Sequence, residues 1–363
     1  MREPKFDLND IVLIPSEQSD ITSRKECETL THFGPYGCLP LMASPMDTVV
    51  SKENYFNYVN NCIIPCIPRG LNTHYFQSPT YYFQAFGLAE IEEDLAFIRP
   101  MECKTVLKTN KQIDWPDYHH EFWKYPNILI DIANGHMEKL IPIIKEIKEY
   151  WPEIIIMVGN VANPETFINL GNAGADYVRC SVGTGAGCTT AANVSINYPL
   201  GSLITECVDL RKQYALKTKI VADGGMRNYS DIIKALALGA DYVMIGSIFN
   251  KSIESAGFNY LWKAKINNKM AELLWRWGLP IKKKYRGMST KAVQRNWGKT
   301  NLVTAEGITK YQKVEYTLQQ WTQNFQDYLR SAMSYCNAKT LDDFIGKAEY
   351  IFITEAARKR FEK

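Results

Sequence analysis

The feature that most constrains the fold is a series of short, nearly unbroken apolar runs, each followed by a helix-like segment. The first four are Leu39-Pro-Leu-Met-Ala43, Cys62-Ile-Ile-Pro-Cys66, Asn127-Ile-Leu-Ile-Asp131 and Glu153-Ile-Ile-Ile-Met-Val158. Asp176-Tyr-Val-Arg179, Lys219-Ile-Val-Ala-Asp223 and Asp241-Tyr-Val-Met-Ile-Gly246 continue the series. Runs without polar alternation suit strands covered on both faces, as in a parallel sheet. Between them lie amphipathic stretches with helix punctuation. Pro164-Glu-Thr-Phe-Ile-Asn-Leu-Gly-Asn-Ala carries Pro and Glu in its first turn, and Tyr229-Ser-Asp-Ile-Ile-Lys-Ala-Leu-Ala-Leu stops at Gly239. Seven or eight β-α repeats in 363 residues predict an α/β chain, a (β/α)8 TIM barrel. An open doubly wound sheet is the alternative use of the same repeats.

A barrel carries its chemistry just after the strand ends. Ser44-Pro-Met-Asp47, Asp131-Ile-Ala-Asn-Gly135 and Gly159-Asn160 stand at such places, as do Asp223-Gly-Gly225 and Gly246-Ser247. The most distinctive segment is Ser181-Val-Gly-Thr-Gly-Ala-Gly-Cys188-Thr-Thr190. Alternating glycines let a backbone turn sharply and bring its own polar groups against a ligand. A cysteine at the tip of such a loop is placed as a nucleophile, and the threonines beside it offer a proton-carrying hydroxyl. An ordinary Gly-rich connector with a free thiol is the competing reading. The two late glycine sites fit a phosphate, and a carboxylate ahead of two glycines suits a ribose diol.

The balance of 42 basic against 39 acidic residues, net +3, demands no polyanionic partner, and Lys282-Lys-Lys-Tyr-Arg286 reads as solvated surface. No nucleic-acid partner is expected. Nine cysteines without regular spacing suggest a reducing compartment, and Cys62-x-x-x-Cys66 has no second pair to complete a zinc site. The start lacks an apolar signal region and no uncharged run reaches membrane-spanning length, so a cytoplasmic chain without a membrane partner is expected.

Eight ordered motifs resemble the IMP dehydrogenase and GMP reductase family over nearly the whole length. They are Asn9-Asp-Ile-Val-Leu-Ile-Pro15, Ser44-Pro-Met-Asp-Thr-Val49, Gly159-Asn-Val161, the Gly183–Thr190 loop, Asp223-Gly-Gly225, Gly246-Ser247, Tyr285-Arg-Gly-Met-Ser289 and Ala305-Glu-Gly307. The resemblance implies that Cys188 attacks C2 of a purine mononucleotide to give a covalent thioimidate, with Thr190 and Glu306 moving protons. It implies a monovalent cation, K+, held by carbonyls of Gly183, Gly185 and Cys188. Phosphate and ribose fall to Asp223, Gly224, Gly225, Gly246, Ser247 and Tyr285, with Gly287, Met288 and Ser289 beneath the base. Ser44, Met46 and Arg179 complete the substrate side. Asp131, Ala133, Asn134, Gly135 and Asn160 form the nicotinamide side. A homotetramer is also implied, as is a single barrel domain over 1–363 with an active-site flap at 289–305 and no inserted CBS pair after Arg69.

The direction of reaction rests on the flap. Dehydrogenases of the family carry a long flap with an Arg-Tyr pair that activates water. Here Met288 to Glu306 is 18 positions, and Arg295 is followed by Asn296. That short segment, Asp131-Ile-Ala-Asn-Gly135 and Tyr198-Pro199 look like the reductases, which release ammonia from GMP and take a hydride from NADPH. Ala222-Asp-Gly-Gly-Met-Arg-Asn-Tyr-Ser-Asp231 looks more like the dehydrogenases, which oxidise IMP with NAD. The expectation is a GMP reductase. The alternatives are an IMP dehydrogenase without CBS domains, a relative acting on a modified purine nucleotide, and a non-catalytic nucleotide-binding barrel. Two departures stand out: Ala186 where the family has a phosphate-touching serine, and Ala191 where it has Arg or Gln. Residues 70–125, rich in Tyr, Trp and His, match nothing; they read as a divergent surface loop, an altered cofactor side or subunit contact area. Trp262, Trp275 and Trp277 read as subunit contacts or barrel-helix core.

Overall fold

The computed structural model describes residues 4–71, 81–98, 122, 125–296 and 304–361. Eight parallel strands close into a barrel in chain order. They are β1 (Leu41–Ala43), β2 (Ile64–Ile67), β3 (Phe83–Phe86), β4 (Asn127–Asp131), β5 (Ile155–Val161), β6 (Tyr177–Cys180), β7 (Lys219–Asp223) and β8 (Tyr242–Ile245). Strand β8 pairs with β1 through Met244 and Met42, which completes the ring and excludes the open sheet. Seven of the strands are the apolar runs of the sequence. The eighth, β3, lies in the stretch that matched nothing. Tyr81 and Tyr82 are buried just ahead of it and Phe83 begins it, so this part is core and neither divergent loop nor subunit contact. Most of the remaining 70–125 stretch, including Trp115-Pro-Asp-Tyr-His-His120, lies outside the described residues.

The barrel interior is filled by Met42, Ile64, Phe83, Leu129, Met157 and Met244 among others. The antiparallel hairpin Thr31–Phe33 and Tyr36–Cys38 closes its lower end, where Phe33 packs on Phe83 with ring centroids 5.4 Å apart. A second, larger cluster fills the layer between strands and helices. The helices form where the sequence punctuates them. Asn163 caps Pro164–Ala173 and Asn228 caps Tyr229–Leu238, each side chain accepting a first-turn N–H, and Gly174 and Gly239 end them in the left-handed conformation. No described helix is long and apolar enough to cross a membrane.

After β8 the chain leaves the barrel and builds a four-stranded antiparallel sheet. Its strands are β9 (Asn259–Leu261), β10 (Ala264–Ile266), β11 (Ile281–Arg286) and β12 (Thr309–Lys313), in the order β10-β9-β11-β12. A helix, Asn268–Arg276, packs Ala271, Leu274 and Trp275 against Ile281, Leu261 and Ile266 on one face of this sheet. Trp275 therefore belongs to the core of the sheet, while Trp262 and Trp277 are 76% and 71% exposed; none of the three packs among the barrel helices. Strand β11 ends in Arg286, and the turn after it leads directly over the barrel mouth.

Candidate active site

Period-two alternation along the barrel strands sets a polar layer above the apolar interior. Leu129 is followed two residues on by Asp131, Tyr177 by Arg179 and Val221 by Asp223. Arg179 sits at the centre. Its Nη1 donates to Asp131 Oδ1 at 2.5 Å, and its Nε and Nη2 donate to Asp223 Oδ2 at 3.0 and 2.7 Å. Asn160 Nδ2 donates to the same Asp223 oxygen at 2.6 Å. Burial works against the Arg179 charge, but the two carboxylates outweigh it and hold the guanidinium pKa above its usual value. Gly159 lies directly beside Arg179 in the β5–β6 register, and a Cβ there would stand 2.5 Å from Arg179 Cβ. Only glycine leaves room for the guanidinium to enter the ring. Asp223 Oδ1 has no hydrogen-bond partner among the described residues, which leaves it for a ligand hydroxyl.

The Gly183–Thr190 loop crosses the mouth between β6 and the short helix Thr190–Val194. Cys188 N donates to Gly185 O at 2.8 Å, which tightens the loop beneath the thiol. The Cys188 thiol donates to Thr190 Oγ1 at 3.2 Å, and the Thr190 hydroxyl donates to Glu306 Oε2 at 2.5 Å. Glu306 is 116 residues from Thr190, and the approach is fixed by backbone. Thr189 N donates to Glu306 O at 2.8 Å, Ile308 N donates to Gly187 O at 3.0 Å, and Cys188 and Gly307 form an isolated antiparallel bridge. Gly287 N in turn donates to Ile308 O at 3.0 Å. A Cβ on Gly287 would lie 2.4 Å from Gly187 O, so the turn after β11 packs on the Cys188 loop only as glycine. The barrel and the antiparallel sheet are thus stitched together at the thiol.

These elements enclose a cavity of about 620 Å³. Ser44 and Met46 form one wall with Gly246, Ser247 and Tyr285, whose hydroxyl donates to Met46 Sδ at 3.6 Å. Asp223, Gly224 and Gly225 form the next, with positive φ of 81° and 88° at the two glycines. Gly287, Met288 and Ser289 also line the cavity, and Gly183, Gly185 and Cys188 contribute the loop side. Asp131, Ala133, Asn134 and Asn160 line the far end; Gly135 stands just behind, donating its N–H to Asn160 O at 2.8 Å. Every site residue expected from the sequence lines this one cavity except Gly135. Burial pushes the Tyr285 hydroxyl well above its ordinary pKa, so it stays a neutral donor.

Two lining residues, Arg69 and Met137, were not singled out by the sequence, and two more, Gln294 and Thr304, fall within the expected flap without a named role. Arg69 follows the end of β2, where the strand-end rule could have found it; its Nη2 meets Glu90 at 3.3 Å. Gln294 sits on the helix Lys291–Asn296, and Thr304 precedes Glu306; no motif marks either one. Of the expected flap at 289–305, residues 297–303 lie outside the described ones, Lys299 among them.

The fold and site define a class: a (β/α)8 barrel with a hydrogen-bonded cysteine–threonine–glutamate chain at the mouth and a glycine-walled pocket beside it. A family described as IMP dehydrogenase / GMP reductase domain matches residues 125–362. The chain belongs to this family. A GMP reductase of Caenorhabditis elegans is 29% identical over 97% of this chain and 93% of its own length. A GMP reductase of Staphylococcus carnosus is 28% identical over 96% of each. An inosine-5'-monophosphate dehydrogenase of Chlorobaculum parvum is 31% identical over 63% of this chain and 45% of its own length.

Proposed function

We propose that the protein is a GMP reductase, an NADPH-dependent oxidoreductase that converts GMP to IMP and ammonia. The observation that carries this reading is the continuous chain from the Cys188 thiol through Thr190 to Glu306, with contacts of 3.2 and 2.5 Å. Near-full-length similarity to GMP reductases, against partial coverage of the dehydrogenase, supports the reductive direction. So does the 18-position Met288–Glu306 segment, in which Asn296 follows Arg295.

The relay accounts for the proton. As Cys188 Sγ bonds to C2 of the purine, its proton passes through Thr190 to Glu306. The C2–N bond then breaks, and the same proton returns along the relay to the leaving nitrogen, which departs as ammonia instead of an amide anion. A thioimidate links Cys188 to the purine. When bound, a nicotinamide dinucleotide would supply a hydride to C2; the S–C2 electron pair would return to the Cys188 sulfur and release IMP. Asp223 Oδ1 receives the ribose, and backbone N–H groups at Gly225, Gly246 and Ser247 receive the phosphate. Ala186 offers no hydroxyl there, so Ser247 takes that contact. Asn134, Asn160 and Ala133 would flank a bound nicotinamide.

Carbonyl oxygens of Gly183, Gly185 and Cys188 suit K+, a hard cation that takes oxygen ligands. The Gly185 carbonyl already accepts the Cys188 N–H, and its second lone pair remains for an ion. We further infer a cytoplasmic homotetramer, and a single barrel domain with a flap at 289–305. Purified protein given GMP and NADPH should oxidise the nicotinamide steadily and release ammonia. With IMP and NAD it should give at most one turnover. Sustained XMP formation would replace this reading with the dehydrogenase one.

A further inference from the structure

The antiparallel sheet has two faces of opposite character. The inner face presents Ile281, Lys283 and Tyr285 to the protein interior, all buried. The outer face presents lysines and aromatic rings in register. Lys265 is paired with Tyr260, Tyr260 with Lys282, and Lys282 with Lys313, which makes one row across all four strands. In the next row Lys284 is paired with Tyr311, and Lys284 N donates to Phe258 O at 2.9 Å. Directly opposed residues share a face, so these seven side chains form one surface.

The rings are open. Phe258 and Tyr311 are 53% and 54% exposed. Tyr260 and Tyr311 meet edge-on with centroids 5.1 Å apart, and Lys265 Nζ lies 3.3 Å from the centre of the Phe258 ring. Among the described residues none of the four lysines makes an ion pair. Two acids on the segments that follow β12 and β10 pair elsewhere: Glu315 with Lys251 at 3.1 Å and Glu272 with Arg276 at 2.5 Å. In a chain with a net charge of only +3, this is a concentrated positive field with no carboxylate paired to it among the described residues.

We propose that this sheet face binds single-stranded nucleic acid, with the lysines on phosphates and Tyr260, Tyr311 and Phe258 stacking on bases. Charge complementarity selects a polyanion. The interleaved rings select one with flat apolar faces between its charges, which a duplex hides in its stack. Anionic lipid would be met by charge with apolar side chains at the rim, and an acidic peptide would leave the rings without partners. The surface departs from the expectation that Lys282-Lys-Lys-Tyr-Arg286 is merely solvated, because strand pairing brings Lys265 and Lys313 beside it. The binding is independent of the purine chemistry: Tyr285 and Gly287 serve the cavity from the opposite side of the same segment.

The test is fluorescence anisotropy of a labelled oligouridine of about 15 nucleotides against the full chain. Four phosphate contacts predict that affinity falls about fiftyfold between 50 and 200 mM salt, from a single-strand slope of roughly −0.7 per contact. Tyr311→Ala and Tyr260→Ala should each weaken binding about tenfold, and Lys282→Glu with Lys284→Glu should abolish it, all with GMP turnover unchanged. Turnover reports folding, so a variant that misfolds is replaced by Lys265→Ala with Lys313→Ala. Inorganic polyphosphate and phosphatidylserine vesicles are the competing probes. The proposal fails if the oligouridine does not bind at 50 mM salt, as it would not were the face covered by a second copy. It also fails if both tyrosine variants bind like the parent, or if polyphosphate or vesicles compete as well as unlabelled oligouridine.

Discussion

The barrel mouth and the antiparallel sheet each bury one cation, and they treat it in opposite ways. Arg179 lies among Asp131 and Asp223, whose charges outweigh its desolvation and raise its pKa. Lys283, on β11, is wholly buried and is held by main-chain oxygens, with Nζ donating to Ser255 O at 2.5 Å. Burial, offset only in part by Glu254, lowers its pKa to about 7. The barrel half of the site thus rests on a cation whose charge its two carboxylate neighbours favour. The sheet half, which carries Tyr285, Gly287 and Glu306 to the thiol, rests on a group that titrates near neutrality. The two halves meet at the thiol, where Cys188 and Thr190 join Glu306, and again where Tyr285 reaches Met46 and Arg286 pairs with Asp47.

Breaking that junction should have the largest effect. Cys188→Ala, on the barrel side, should lower kcat at least about 10⁴-fold while GMP binding by calorimetry stays near that of the parent. Glu306→Gln, on the sheet side, should lower kcat by roughly 10²–10⁴-fold. Combined with Thr190→Val it should cost little more than either change alone, because both remove one relay. Additive losses would mean that the two halves contribute separate proton paths.

The cations sharpen the contrast further. Arg179→Met leaves two buried carboxylates facing each other and should cost about 3–5 kcal/mol in denaturant unfolding. The smallest effect, and the most diagnostic, belongs to Lys283→Met. Between pH 7 and 10.5 the unfolded chain keeps a proton on this lysine that the folded chain has lost, so its contribution makes the parent more stable as pH rises. Below pH 7 both states are protonated and the contribution is flat. From pH 7 to 10 the parent should gain roughly 3 kcal/mol relative to the methionine variant. A difference that stays constant across that range would show that Lys283 titrates normally and that the two halves do not differ in this way.

Much of the barrel was legible because its signals are local. A strand buried on both faces must be apolar throughout, and a helix must be capped, so seven strands and both inspected helices stand where the residues place them. Phe83–Phe86 was missed because Tyr81, Tyr82 and Gln84 flank or interrupt it, and Pro and Ser ahead of it read as loop. The strand-end motifs led to the cavity correctly. The same rule passed over Arg69, since an Arg between Pro68 and Gly70 has no chemistry to mark it until Glu90 and the cavity wall surround it.

By itself the sequence determined the barrel class, the family and the identities of the thiol, hydroxyl and carboxylate, because apolar periodicity and short glycine motifs act within a few residues. Only the tertiary structure decided that Arg179 sits between two aspartates and that Glu306 reaches Thr190 across 116 positions. It alone decided that alternate residues of one strand face the cavity and a basic aromatic surface. The physical reason is the same in each case. Hydrogen bonds and charges act over a few ångströms, and which residues come that close is set by strand register and barrel closure, not by their separation along the chain.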